Sequence, residues 1–408
     1  MSLQMLVLLV PVFFGLMGFG LDLGRLYLVR GELNHAAEAM ALAAAEKLAG
    51  TEASLDDAGR AARLALDNAT GFGNKYNFGS IPIGESTGTL TSTVPDPVYF
   101  ETAADAVSDE SAGGAGGTTA KYVRVDLTAD APLLFWGMLA LGQERRTPVM
   151  ARAAAGISAP LCTACGIEPF AIAALSPDDT IDFGFVPGTK YTLGYPCNPP
   201  GGPPGALPGT TQRINYLIVN RYNDTSALEE NQQLYRIGAQ GLLPSSTAAQ
   251  ACISISAEEM LWATATPSAC NQQTVTASVR AAFCGLTTRF EATPPAGCGA
   301  VTDVENLALS YTPDTFVEDL DEYAGYTGNG RRIITIPIVD TLSTTAAMVV
   351  LGFRQFLALP GQADVMIAAG DQNARFGAMY IGSVAPVKQG RFDGCTITSG
   401  PGKVVLHR

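Results

Sequence analysis

The chain has 408 residues, 47% of them hydrophobic and 15% charged, which is enough for two or three packed units and too apolar for general disorder. Its formal net charge of -13 argues against DNA or RNA as the main partner, because binding phosphates needs concentrated Lys and Arg. Eight cysteines against two histidines, all falling between Cys162 and Cys395, read as a disulfide framework in an oxidising compartment, with free core thiols or metal ligands as the alternatives.

Residues 1–21 read MSLQMLVLLVPVFFGLMGFGL, without a charged side chain. About 20 helical residues span the roughly 30 Å hydrocarbon core, so this run predicts a membrane-crossing helix. The uncharged start and the helical pattern continuing through LDLGRLYLVRGELNHAAEAMALAAAEKLAG argue for a retained helix over a cleaved signal peptide. Pro11 predicts a kink or local loosening. Gly15, Gly18, Gly20 and Gly24 are the candidate helix-packing positions, since small residues let a second helix approach closely, and Gly20 with Gly24 makes a GxxxG. Glycine is also simply frequent in membrane helices. The Ala-rich residues 36–45 extend the same packing beyond the membrane. Two signals disagree on orientation. Arg25 and Arg30 follow the apolar run and favour a cytoplasmic domain, whereas the cysteines favour the oxidising side. Asp22, Glu32 and Glu38 dilute the basic bias, so the cysteines decide.

The helix is expected to run to about Leu48, and a second, amphipathic helix over residues 55–69. Short β runs follow at 79–83, 89–94 and 98–101, then the flexible SDESAGGAGGTTA. In YVRVDLT, Val123, Val125 and Leu127 alternate with Arg124 and Asp126, the period of a half-buried strand. APLLFWGMLALG reads as a short buried helix and TPVMARAAAGI as a strand, closing an α+β unit near Ile157. PCNPPGGPPGALPGT is an irregular loop and INYLIVN a buried strand. Residues 227–284, including AEEMLW and TVTASVRAAFC, look mostly helical. RIITIPIVD, AMVVLGFRQFLAL, FGAMYIGSVAPV and KVVLHR make the last hundred residues β-rich.

Chemistry has few candidates. Cys162-Thr-Ala-Cys165 is followed by Gly166 where a c-type haem site needs His, and no second CxxC completes a zinc site. A redox dithiol and a structural disulfide both remain, the latter favoured. Nearest-neighbour pairing suggests Cys252 with Cys270 and Cys284 with Cys298, each worth about 3 kcal/mol by chain entropy, leaving Cys197 and Cys395 for a long-range bridge. Eight cysteines allow 105 pairings, so spacing alone does not choose. His35 and His407 have no nucleophile nearby in sequence, and no nucleotide-binding glycine motif is present. Asp178, Asp179 and Asp182, and the run Asp314, Glu318, Asp319, Asp321 and Glu322, are solvated acidic loops or calcium loops, neither following the EF-hand pattern.

The segment FFGLMGFGLDLGRLYLVRGELNHAAEAMALAAAEKLAG, with Asp22, Gly24, Arg25, Ala36, Ala37, Ala41 and Ala44 at the pattern positions, resembles the opening of TadE/TadG-like proteins of tight-adherence (Flp-type) pilus systems. The CTACGIEPFAIAA segment and the tail from IGSVAPV onward resemble larger TadG-related proteins. The chain departs from the family in two respects. It lacks the D-x-S-x-S metal motif of the von Willebrand type A domain and the short basic cytoplasmic start. Its Met5 also stands where pilins usually have Glu. A basic leader removed before Met1 would give the prepilin pattern.

The resemblance implies a non-enzymatic structural component of a Flp/Tad-type pilus or related surface filament, without cofactor or metal. It acts either as a membrane-anchored assembly protein or as a pilin-like subunit packing through its N-terminal helix. The implied partners are other pilus or filament subunits, or copies of the chain, and the membrane. The implied location is the inner membrane, single-pass with a periplasmic or extracellular domain, or an extracellular filament. The alternative is a membrane-anchored binding or adhesion protein, calcium-dependent in one version. The expected fold is α+β. Residues 1–50 form the membrane-spanning and Ala-rich helix, and 51–157 a small α+β pilin-like unit. Residues 158–408 form a larger disulfide-bonded, outward-facing α+β domain with a helical middle and a β-rich end. All eight cysteines (Cys162, Cys165, Cys197, Cys252, Cys270, Cys284, Cys298 and Cys395) are disulfide candidates.

Overall fold

The computed structural model describes residues 2–66, 77–78, 81–82, 86–87, 90–93, 96–108, 117–133, 135, 146–165, 167–168, 170–196, 204–220, 252–255, 260–263, 286–287, 289, 313–328, 330–359, 373–382, 385–387, 389–392, 395 and 397–407. Helix α1 (Ser2–Ala45) runs unbroken through Pro11, and α2 (Glu52–Leu66) follows after a short turn. Strands β1 (Asn77–Phe78), β2 (Ile81–Pro82), β3 (Ser86–Thr87), β4 (Leu90–Thr93) and β5 (Val98–Phe100) lead to the short helix α3 (Ala103–Val107), capped by the Thr102 side chain, which accepts the Asp105 N–H. Two long strands come next, β6 (Tyr122–Pro132) and β7 (Arg146–Ile157).

Strands β6 and β7 pair antiparallel without a break from Tyr122↔Gly156 to Pro132↔Arg146. Val123, Val125, Leu127 and Ala129 are buried, and α1 packs against β6. Arg124, on the opposite face, is also buried: its guanidinium lies 4.8 Å from the Phe100 ring centre and donates to the Ser108 carbonyl. The half-buried strand expected from alternation is therefore covered on both faces, because α3 lies over the polar side, with Ala106 packed against Phe100 of the neighbouring strand β5 and Ala154 of β7. This first compact unit comprises residues 1–48, 54–156 and 405–408. The last strand, β18 (Val404–His407), joins its sheet beside β7 in the order β18-β7-β6-β4-β3.

The second unit comprises residues 49–53 and 157–404. Its strands are β8 (Thr163–Cys165), β9 (Phe170–Ala173), β10 (Lys190–Gly194), β11 (Gln212–Asn220), β12 (Cys252–Ser254), β13 (Met260–Ala263), β14 (Ile333–Val339), β15 (Met348–Ala358), β16 (Phe376–Gly382) and β17 (Gln389–Arg391), with a short helix α4 (Leu320–Ala324) before β14. Six of them form a closed ring. Strand β10 pairs with β16, β16 with β15, β15 with β14, β14 with β9, β9 with β11, and β11 back with β10. The β10–β11 and β9–β14 pairs are parallel and the rest antiparallel. Closure leaves the ring no free edge, and every residue of β14 is buried. Phe170, Tyr216 and Phe376 pack together in this core with ring centres 5.3–6.0 Å apart.

Two expectations change. Met260–Ala263, inside the stretch read as helical, is a strand that bridges β11 and β15, and Cys252–Ser254 is a strand as well. Most of residues 227–284 lies outside the described residues. Ala131 and Pro132, read as the start of a buried helix, belong to β6, and residues 136–142 of that run are also outside the described set.

Candidate functional site: the apolar helix and its hairpin

Helix α1 has 44 residues, about 66 Å at 1.5 Å each, and its two halves meet different surroundings. From Val29 onward one face is buried in the first unit, through Val29, Leu33, Ala36, Ala37, Met40, Ala41, Ala44 and Ala45. Steps of three and four place these on one stripe. The Ala-rich stretch read as a surface for a second helix thus packs within its own unit. Before that point Val12, Phe13, Phe14, Leu16, Phe19 and Leu21 are all more than half exposed. Such an uncharged, all-round apolar surface is unstable in water and calls for lipid or protein cover.

The four glycines divide in the same way. A Cβ on Gly15, Gly20 or Gly24 would meet nothing within 4 Å, so all three are open to a partner. At Gly18 a Cβ would collide with the ring of Phe135, which reaches the helix from beyond the end of β6. One turn on, the buried Asp22 accepts the Phe135 backbone N–H at 3.1–3.2 Å. Gly18 is therefore a contact for the chain's own hairpin. Sequence reasoning missed Phe135; the one clue was a carboxylate ending an uncharged run, which needs a donor once buried.

In the second unit Cys162 and Cys395 form a disulfide across a sequence separation of 233. This corrects the pairing of Cys395 with Cys197: Cys162 stands just before β8 and Cys395 follows β17, and β8 pairs with β17. Cys165 and Cys252 stand opposite each other in the β8–β12 register. Cys197, Cys270, Cys284 and Cys298 lie outside the described residues.

The acidic loops hold internal contacts. Asp179 accepts the N–H groups of Ile181, Asp182 and Gly184, which hold its carboxyl below the usual range. Asp182 accepts the Tyr380 hydroxyl. Asp314 accepts the Tyr326 hydroxyl at 2.6 Å and lies 3.6 Å from the buried Arg332 guanidinium. Asp319 caps α4 through the Glu322 N–H. Among the described residues no three His, Cys, Asp or Glu side chains are grouped to hold a metal. His407 lines a cavity of about 180 Å³ with Glu38 and Arg152, and no Ser, Thr or Cys shares that lining. His35 is exposed, 3.8 Å from Glu38.

Residues 2–47 match the family of putative Flp pilus-assembly TadE/G-like proteins, which is the stretch occupied by α1. No curated protein and no solved structure matches the chain. The match associates α1 with Flp/Tad pilus assembly. Among the described residues one helix, over Leu9–Ala45, is long and apolar enough to cross a membrane, by length and composition.

Proposed function

We propose that this protein is a non-enzymatic structural component of a Flp/Tad-type pilus or related surface filament, held in place through the first half of α1. The division of α1 carries the reading. Its second half is fixed to a β-sheet by its own unit, while the first half projects an apolar surface that the described fold leaves uncovered. Lipid covers that surface if the chain is an anchored assembly protein, and neighbouring apolar helices cover it if the chain is a pilin-like subunit. The Cys162–Cys395 disulfide supports a periplasmic or extracellular second unit. The partners are accordingly the membrane and other pilus subunits or copies of the chain. The adhesion alternative gains nothing from Asp179, Asp182, Asp314, Asp319 and Glu322, whose carboxylates are engaged in turns, caps and ion pairs.

Deleting the gene and imaging surface filaments by electron microscopy tests the reading. Loss or shortening of filaments, restored by the intact gene, is the expected result; unchanged filaments would sink it. The mass of the native N-terminus separates the two roles. A processed, methylated start indicates a subunit, and an unprocessed start an anchor.

A further inference from the structure

The connection between β6 and β7 is tied to α1 at the level where the helix is uncharged. Phe135 covers Gly18, and its N–H is held by Asp22. Gly18 lies four residues on the apolar side of Asp22, about 6 Å of helix rise. The sequence of this connection, LLFWGMLALG over residues 133–142, carries no charge; Asp130 precedes it and Glu144, Arg145 and Arg146 follow it. Leu133 and Phe135 are each only half-buried.

We propose that the end of the β6–β7 hairpin, around Leu133 and Phe135, enters the headgroup–acyl boundary of the same lipid layer that receives α1. The proposal rests on the lipid-facing reading of α1. Interfacial segments sit about 5–10 Å into that boundary, the depth that the contact at Gly18 sets if Asp22 marks the headgroup level. The Asp22–Phe135 contact makes that depth tolerable for both partners. A backbone N–H outside regular structure needs an acceptor away from water, and a carboxylate at the edge of hydrocarbon needs a donor. Each supplies the other. Lipid is favoured as the occupant over a second copy because the charge-free run bears Trp136, a side chain suited to the headgroup level, and is followed by Glu144, Arg145 and Arg146, whose net positive charge suits anionic headgroups.

Trp136 and Trp262 are the only tryptophans, so Trp262→Phe leaves a single reporter beside Phe135. The full chain carrying this change is reconstituted into phosphatidylcholine–phosphatidylglycerol vesicles whose acyl chains bear bromine either near the headgroup or near the bilayer centre. Emission lost mainly to the shallow bromines is the expected result. A second chain, with Phe14→Trp in a Trp136→Phe, Trp262→Phe background, reports on α1 itself. If that reporter is quenched while Trp136 is not, the hairpin proposal is overturned and the membrane reading of α1 stands. If neither is quenched, the membrane reading fails and takes the proposal with it. Trp136 shielded from aqueous acrylamide but untouched by either bromolipid indicates a protein partner and also overturns the proposal. The difference between wild type and Trp136→Phe gives the same readout should Trp262→Phe impair folding.

Discussion

The ring of Phe135 occupies the place where a side chain on Gly18 would have to begin. The first half of α1 therefore combines an internal contact at Gly18 with open glycines at positions 15, 20 and 24, and substitution can tell the two apart. Gly18→Leu should force the hairpin off the helix and cost about 1–3 kcal/mol through overpacking, read by urea unfolding in detergent. Gly20→Leu should leave that unfolding curve unchanged or slightly stabilised, since leucine is the better helix former. If the chain is a pilin-like subunit, it should instead weaken crosslinking between copies through α1. Equal stability losses for both variants would refute the distinction.

The Cys162–Cys395 disulfide constrains an unfolded loop spanning a separation of 233 residues. Long loops gain most from cross-linking in the chain-entropy model, so Cys395→Ser should cost about 2–5 kcal/mol. Non-reducing peptide mapping should recover the 162–395 pair from the wild type. Recovery of Cys395 joined to Cys197 instead would reject the assignment.

Asp314 and Arg332 have fully buried side chains, and burial pulls the Arg332 guanidinium below its ordinary range. Removing one member of such a pair leaves the other charge buried and uncompensated. Asp314→Ala should therefore cost about 3–5 kcal/mol in a thermal or denaturant melt. Asp314→Asn keeps an acceptor for the Tyr326 hydroxyl and should cost less. A melt unchanged in Asp314→Ala would mean that the carbonyls of Ala358 and Thr315, which also receive the guanidinium, suffice for it.

What the sequence showed, and what it hid, follows from the range of the interactions. Helix α1 was legible because a charge-free run and an alanine-rich run are local properties. Strands β6 and β14 were legible from alternation and from a continuous apolar run, respectively. Met260–Ala263 looked helical because Met, Leu and Ala favour helices, yet its pairing with β11 and β15 overrode that propensity. The burial of Arg124 was hidden for a related reason, since alternation reports one covered face and cannot announce α3 on the other. Neither the Phe135–Gly18 contact nor the Cys162–Cys395 pairing leaves a trace in spacing, because each joins segments more than a hundred residues apart.

Asp179 gives a prediction whose sign depends on pH. Its carboxylate accepts three backbone N–H groups in a turn where Phe183 has φ 55° and Gly184 φ 80°, left-handed conformations that need outside support at a phenylalanine. Those donors favour the ionised form, so the folded carboxyl titrates below the unfolded value of about 3.9. A depressed folded value means that the contribution is complete above the unfolded value and fades as pH falls through the folded one. Asp179→Asn keeps one acceptor oxygen but loses the charge. Its melting temperature should therefore lie below that of the wild type at neutral pH, and the gap should narrow as pH drops below about 4. Melts of both chains across that range check it. A gap of constant size would assign the stabilisation to turn geometry alone, and a gap that widened in acid would contradict the direction of the shift.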